Sequence, residues 1–347
     1  MGSLIVASTR MSAGKTSVII GLGKAIGQKI GYLKPLGDRF LYRKKRLWDY
    51  DASLVVNLFG LTEEPEMISI GFDHSKLRYM YDRESSTAEV KRVIAEMGKG
   101  KDALFIECGK TLSYGASVYL DPLTLSHVTG DPVVIVTGGT EDEIADDLAF
   151  VKRFVGAEEA NIGGVILNKV VQPEDFKAAH LADVEALGVN VLGVIPYEEE
   201  LTTLSVSYLA ERLFARVIAG EEGLSRRIRN VFVGAMSVNA ALAEPLFAKQ
   251  DKLIITSGDR SDMILAALDA GGTSCLLLSN NIVPPPNVTA RARQQGVPLL
   301  LVPSDTHTVA KQVDDLEPLL TRDETDKVEL LTRLVAENVD LEAIRTL

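Results

Sequence analysis

Leu4-Ile5-Val6-Ala7-Ser8-Thr9-Arg10-Met11-Ser12-Ala13-Gly14-Lys15-Thr16-Ser17 runs from an apolar, strand-forming segment into Gly-Lys-Thr, and a helical pattern opens directly behind it. A loop between a strand and a helix N-terminus presents successive backbone N–H groups to an anion. In that setting Lys15 sets a positive charge against the β and γ oxygens of a nucleoside triphosphate, and the Thr16 hydroxyl joins the shell of a Mg²⁺ ion. Ser12, Ala13, Gly14, Lys15, Thr16 and Ser17 are therefore the expected phosphate-binding residues, ATP and Mg²⁺ the expected cofactors, and Lys15 the first catalytic candidate. Five residues before Gly14, where such loops usually carry a glycine, stands Thr9. An ordinary strand-to-helix turn is the competing reading.

Working outward, short β-rich runs (4–7, 30–33, 103–106, 132–136, 164–167 and 191–195) alternate with helical patterns over 16–29, 142–155 and 173–187. Such alternation predicts an α/β fold, a parallel sheet with helices on both faces, because each parallel crossover must return the chain to the same end. The polar, charged stretch 219–229 predicts a boundary: a first domain over 1–220, a linker over 221–229, a smaller α/β domain over 230–320 and a helical tail over 321–347. The tail has mixed charge and suits either solvent or a dimer contact.

The 347 residues suit two domains, and 46% hydrophobic residues supply both cores. A net charge of -11 argues against nucleic acid as the main partner. No apolar run reaches the roughly 20 residues that span a bilayer, and no leader pattern opens the chain, so no membrane partner and a cytoplasmic location are expected. Cys108 and Cys275 sit in apolar runs and predict buried, reduced thiols rather than a disulfide or metal cage. His74, His127, His180 and His307 have no metal-ligand spacing.

Ligands of open parallel sheets gather at the carboxyl ends of the strands. Lys34, held before Pro35 at one such end, is the second catalytic candidate, for a phosphate or an anionic substrate; a solvated lysine is its alternative. Glu107 ends another buried run, where a carboxylate needs a cation or hydrogen-bond donors. With Asp51 and Thr16 it forms the expected Mg²⁺ shell, helix capping by Asp49 or Asp51 being the competing role. Asn168 and Lys169 at a third end, and Pro196 with Tyr197 at a fourth, are the candidates for the purine side, plain loop structure being the alternative for each. The basic run Arg39, Arg43, Lys44, Lys45 and Arg46 reads first as a mobile, solvated loop and second as a lid over phosphates.

The loop, Lys34-Pro35, Asp51-Ala52, Glu107 and Asn168-Lys169 together resemble the dethiobiotin synthetase type of P-loop protein over roughly residues 1 to 220. The resemblance implies that Lys15 and Thr16 hold phosphate and Mg²⁺, Asp51 and Glu107 the metal, and Asn168 the adenine side. Gly258-Asp259-Arg260 before the helical pattern 261–268, with Ser279-Asn280-Asn281 beyond the next strand, resembles the DRTGG domain. The pair is similar to the N-terminal regulatory region of long bacterial phosphate acetyltransferases. Two departures bear on function. Glu107-Cys108-Gly109-Lys110-Thr111 replaces the glycine-rich segment that admits a diamine, and no acetyl-transferring domain is expected after the second module. Arg10, five residues before Lys15, occupies the position of a second lysine in related dimeric ATPases; an outward surface arginine is the alternative.

The expected activity is nucleotide binding with weak or conditional ATP hydrolysis, coupled to a second domain that binds a small anionic metabolite or mediates homo-oligomer assembly as a dimer or larger. Asp259 and Arg260 are expected to line that ligand or dimer surface. The rivals are an ATP-dependent ligase that activates a carboxylate or carbamate, with Lys34 orienting the acid, and a scaffold that has lost turnover.

Overall fold

A computed structural model describes residues 2–43, 45–155 and 160–347. The chain divides into two compact units, Met1–Glu198 with Arg322–Leu347, and Glu199–Thr321.

The first unit is built on a six-stranded parallel sheet in the order Ile30–Leu33, Ala103–Glu107, Ser3–Ser8, Val133–Thr137, Ile162–Val170, Val191–Pro196. All six predicted runs lie in it. The central strand Ser3–Ser8 is buried from Leu4 onward, flanked on both edges, and its continuous apolar sequence fits burial on both faces. The helix Lys15–Ile26 follows it, and the helices Glu141–Phe150 and Pro173–Ala186 form where the apolar periodicity predicts them. Glu141–Phe150 opens on a reciprocal capping box between Thr140 and Glu143 and passes into a π-helical turn, Val151–Val155.

The basic run differs from a solvated loop. It forms a two-stranded antiparallel hairpin, Phe40–Arg43 with Arg46–Asp49, that leads straight into the helix Tyr50–Phe59. Lys44 lies outside the described residues.

The second unit carries a five-stranded sheet in the order Arg216–Ala219, Leu299–Leu301, Thr273–Ser279, Lys252–Ser257, Asn230–Val233, parallel except for its first strand. Because Arg216–Ala219 and the preceding helix Val206–Arg212 belong here, the division falls near residue 198 rather than within 219–229. The polar, glycine-bearing text that suggested a linker is a 3-10 turn and the short strand Arg227–Ile228, which pairs with Leu204–Ser205.

The tail also departs from a free-standing arm. Its helix Thr325–Asn338 packs on Lys15–Ile26, burying Val328, Leu331, Leu334 and Val335 within the first unit. Gly21 makes the approach possible, since a Cβ there would stand 2.4 Å from Val335 Cγ2. Gly21→Val is expected to cost about 1–3 kcal/mol by overpacking, and Val335→Ala in the same chain to restore part of it; urea unfolding of the single and double variants measures both.

Candidate functional site

The residues after Ser8 turn back over the sheet into the helix Lys15–Ile26. Gly14 caps that helix in the left-handed conformation at φ 96°, and a Cβ there would also stand 2.3 Å from Asn168 Nδ2. Glycine is thus required twice over. The first helical turn holds no acidic residue, so its N–H groups face no internal counter-charge from that turn.

Lys15 is 8% exposed. It is buried, and its ammonium donates to Ser8 Oγ at 2.8 Å. Burial holds its pKa below the usual lysine range, against the opposing pull of Glu107 and Asp38. A desolvated ammonium whose hydrogen-bond partner is a hydroxyl is poised to take an anion.

Thr16 Oγ1 donates to Glu107 Oε1 at 2.9 Å, and Tyr32, a residue the sequence reading passed over, donates its phenol to Glu107 Oε2 at 2.9 Å. Burial, reinforced by Asp51, lifts the Glu107 carboxyl to about 7 despite the nearby lysines. Beyond Glu107 the cluster centres on Lys34. Its ammonium lies 2.6 Å from Asp38 Oδ1, 2.6 Å from Asp51 Oδ2, 3.2 Å from Asp49 Oδ1 and 3.7 Å from Glu107 Oε1. Burial alone would lower its pKa, but Asp51, Glu107, Asp49 and Asp38 together raise it well above the ordinary value. Lys34 is therefore a closed-in ion-cluster residue and not an open rim lysine.

In the Asp49-Tyr50-Asp51 segment the capping role falls to Asp49, while Asp51 joins the Lys34 cluster. Asp49 caps Tyr50–Phe59 by accepting from Ala52 N, and its other oxygen accepts from Asp38 N and Arg39 N. Asp51, in the first turn, pairs with Lys34 and with Arg39 at 3.3 Å. Burial acts to raise the Asp51 pKa, yet Lys34 and Arg39 outweigh it and hold the group below the usual carboxylate range. The hydroxyl of Thr16 and the buried oxygens of Glu107 and Asp51 are hard donors of the kind Mg²⁺ takes, so this donor set fits the ion.

Asn168 and Lys169 brace the loop instead of presenting free groups to a base. Asn168 Nδ2 donates to Ala13 O at 2.8 Å and Lys169 Nζ to Ser12 O at 2.8 Å. Pro196 pairs with Val170 in the sheet and takes no part in the cleft described next. A cleft of about 740 Å³ opens beside the loop, lined on one side by Arg10 to Ala13, on another by Gly138 to Ile144, and closed by Lys169 to Gln172 with Phe176. Arg10 lies on the wall of this cleft with its side chain 36% exposed. It is fastened to Asp147 (2.7 Å) and Glu143 (2.6 Å), and the same Asp147 oxygen accepts from Thr9 at 2.7 Å and Thr137 at 3.0 Å. Thr9, the residue that replaces the usual glycine, thereby anchors the loop to the helix Glu141–Phe150.

After Glu107 the chain is not open. A Cβ on Gly109 would stand 2.0 Å from Tyr114 Cδ1, so the Tyr114 ring lies directly on that backbone, with His74 edge-on to it at 5.0 Å. Cys108 and Cys275 are buried and unpaired, and burial pushes both thiols up. In the second unit Arg260 bonds Asp262 and the Met236 carbonyl, while Asp259 is exposed. No helix among the described residues is long and apolar enough to cross a membrane.

Two outcomes are expected. Gly14→Ala should lose about 1–3 kcal/mol through forced positive φ and displace Asn168, read by thermal unfolding. The Glu107 carboxyl has a higher pKa folded than unfolded, so the stability it confers in metal-free buffer is fully present below about pH 4.5 and lost as pH rises through about 7. Relative to Glu107→Gln, the wild type should lose up to about 1.4 kcal/mol per pH unit across that window, measured by urea unfolding at a series of pH values.

Residues 2–205 match the family model described as AAA domain, and residues 208–316 match the one described as DRTGG domain. The phosphate acetyltransferase of Pseudomonas putida is 27% identical over 98% of this chain and 51% of its own length; the chain spans about half the length of the curated relatives it matches along its whole extent. Among solved structures, the CBS and DRTGG domains of the regulatory region of Clostridium perfringens pyrophosphatase, complexed with diadenosine tetraphosphate, cover 49% of this chain and 86% of theirs at 13% identity and TM-score 0.28. The Cyanothece McdA complex with ATP covers 57% of this chain and 84% of its own at 15% identity and TM-score 0.34. The chain belongs to the AAA domain family through its P-loop sheet and carries a DRTGG domain behind it.

Proposed function

We propose that the protein binds Mg²⁺-ATP on the loop Ser12 to Ser17 and serves as a regulatory module, with slow or conditional hydrolysis, coupled to a second domain that takes a small anionic metabolite or joins two copies. The observation that carries this reading is the buried Lys15 ammonium beside a left-handed Gly14 at the start of a helix, with Thr16 hydrogen-bonded to Glu107. Polyphosphate would receive the helix N–H groups and Lys15; Mg²⁺ would be held by Thr16, Glu107 and Asp51 and would supply charge neutralisation.

Regulation is favoured over ligation by what surrounds the carboxylates. A dethiobiotin synthetase-like ligase needs room for an organic acceptor beyond Glu107, and the Tyr114 ring covers Gly109 there. Lys34, the residue such chemistry would use to orient an acid, is 1% exposed and already surrounded by carboxylates. The match to phosphate acetyltransferases over about half of their length supports a role in controlling acetyl transfer.

Lys15→Met keeps the buried stem and removes the charge. It is expected to weaken Mg²⁺-ATP binding by about 100-fold or more, as for a charge-assisted contact left unmade in a dry site, with an unchanged far-UV circular dichroism spectrum. Calorimetric titration of both proteins decides it, and equal affinity would refute the site.

A further inference from the structure

The Mg²⁺ site and the Lys34 cluster share two carboxylates. Glu107 Oε1, which accepts from Thr16, is also the oxygen 3.7 Å from the Lys34 ammonium, and Asp51 Oδ2 is 2.6 Å from it. A divalent ion on Thr16, Glu107 and Asp51 would therefore sit beside an ammonium in a space from which water is largely excluded, where two cations repel strongly.

The four carboxylates are not equally able to change partners. Asp49 is pinned by three backbone N–H donors, from Asp38, Arg39 and Ala52, and is 0% exposed. Asp38 follows Lys34 in the chain, four residues on, and pairs with it at 2.6 Å. Asp51 is held by the side chains of Lys34 and Arg39, long groups on flexible stems. Glu107 stands farthest from Lys34, at 3.7 Å, and has its own donors in Thr16 and Tyr32, so Asp51 and Glu107 are the pair that can be handed over, and Asp38 and Asp49 the pair that stays.

Resting on the nucleotide-site reading above, we propose that Lys34 is an internal stand-in for the metal: in the metal-free protein its ammonium neutralises Asp51 and Glu107, and Mg²⁺ takes both from it. Lys34 then keeps Asp38 and Asp49 as counter-ions and becomes a positioning residue available to the phosphoryl oxygens of the nucleotide. The exchange makes metal arrival the condition for a second lysine to engage phosphate. It also explains why a cation is buried so deeply at a site whose ligand is itself anionic.

The test uses the full chain and Mg²⁺ alone, by calorimetric titration of the wild type and Lys34→Met. With the internal competitor removed, the variant should bind Mg²⁺ about tenfold or more tightly, and its melting temperature, depressed in metal-free buffer by the uncompensated carboxylates, should rise on adding Mg²⁺ by more than that of the wild type. Equal or weaker affinity in the variant, or no binding by either protein, overturns the exchange. Should Lys34→Met be unfolded without metal, recovery of its native circular dichroism on titration with Mg²⁺ supports the proposal and failure to recover overturns it. Mg²⁺-ATP titration of the wild type in the same buffer separates the two readings: binding there with no gain in Lys34→Met removes the exchange alone, and no binding there removes the nucleotide site itself.

Discussion

The buried ammonium of Lys34 among Asp38, Asp49, Asp51 and Glu107 is the interaction around which the functional end of the first unit is arranged. Removing charges from water is expensive, and the cost is met only when opposite charges and hydrogen bonds surround each ion. Here that requirement draws together the end of Ile30–Leu33, the base of the hairpin Phe40–Asp49, the start of Tyr50–Phe59 and the end of Ala103–Glu107. Elements far apart in sequence are thereby fixed beside the phosphate loop by electrostatics as much as by apolar packing.

The loop has its own supports. Ser8 receives Lys15, Thr9 and Arg10 reach Asp147, and Asn168 and Lys169 hold the carbonyls of Ala13 and Ser12. Each side chain that braces the loop comes from a strand end or the helix beside it, so the backbone N–H groups are left to point at whatever occupies the turn.

Much of this was legible in the text of the chain. Continuous apolar runs ended by Ser8, Lys34, Glu107 and Asn168 located the strands and their carboxyl ends, because fully buried parallel strands leave no other pattern. What escaped was pairwise: nothing in Tyr32 announces a bond to Glu107, and nothing in Thr9 announces Asp147, since both contacts join residues brought together only by the sheet order. The hairpin was missed because arginines and lysines mask its alternation of Phe40 and Tyr42, with Leu47 opposite Tyr42. The boundary was misplaced for a similar reason: Arg216–Ala219 is a short edge strand whose pairing with Leu299–Leu301 is antiparallel and remote in sequence.

The return of Thr325–Asn338 to the helix Lys15–Ile26 makes the first unit discontinuous, with the whole second unit inserted between its two parts. Chain emerges from the ribosome in order, and segments fold as they become available. The apolar stripe that receives Val335 must therefore wait, uncovered, while the entire inserted unit is synthesised, and no single cut can release the nucleotide-binding unit intact. A fragment carrying it alone would need its two segments, Met1–Glu198 and Arg322–Leu347, joined by a new linker.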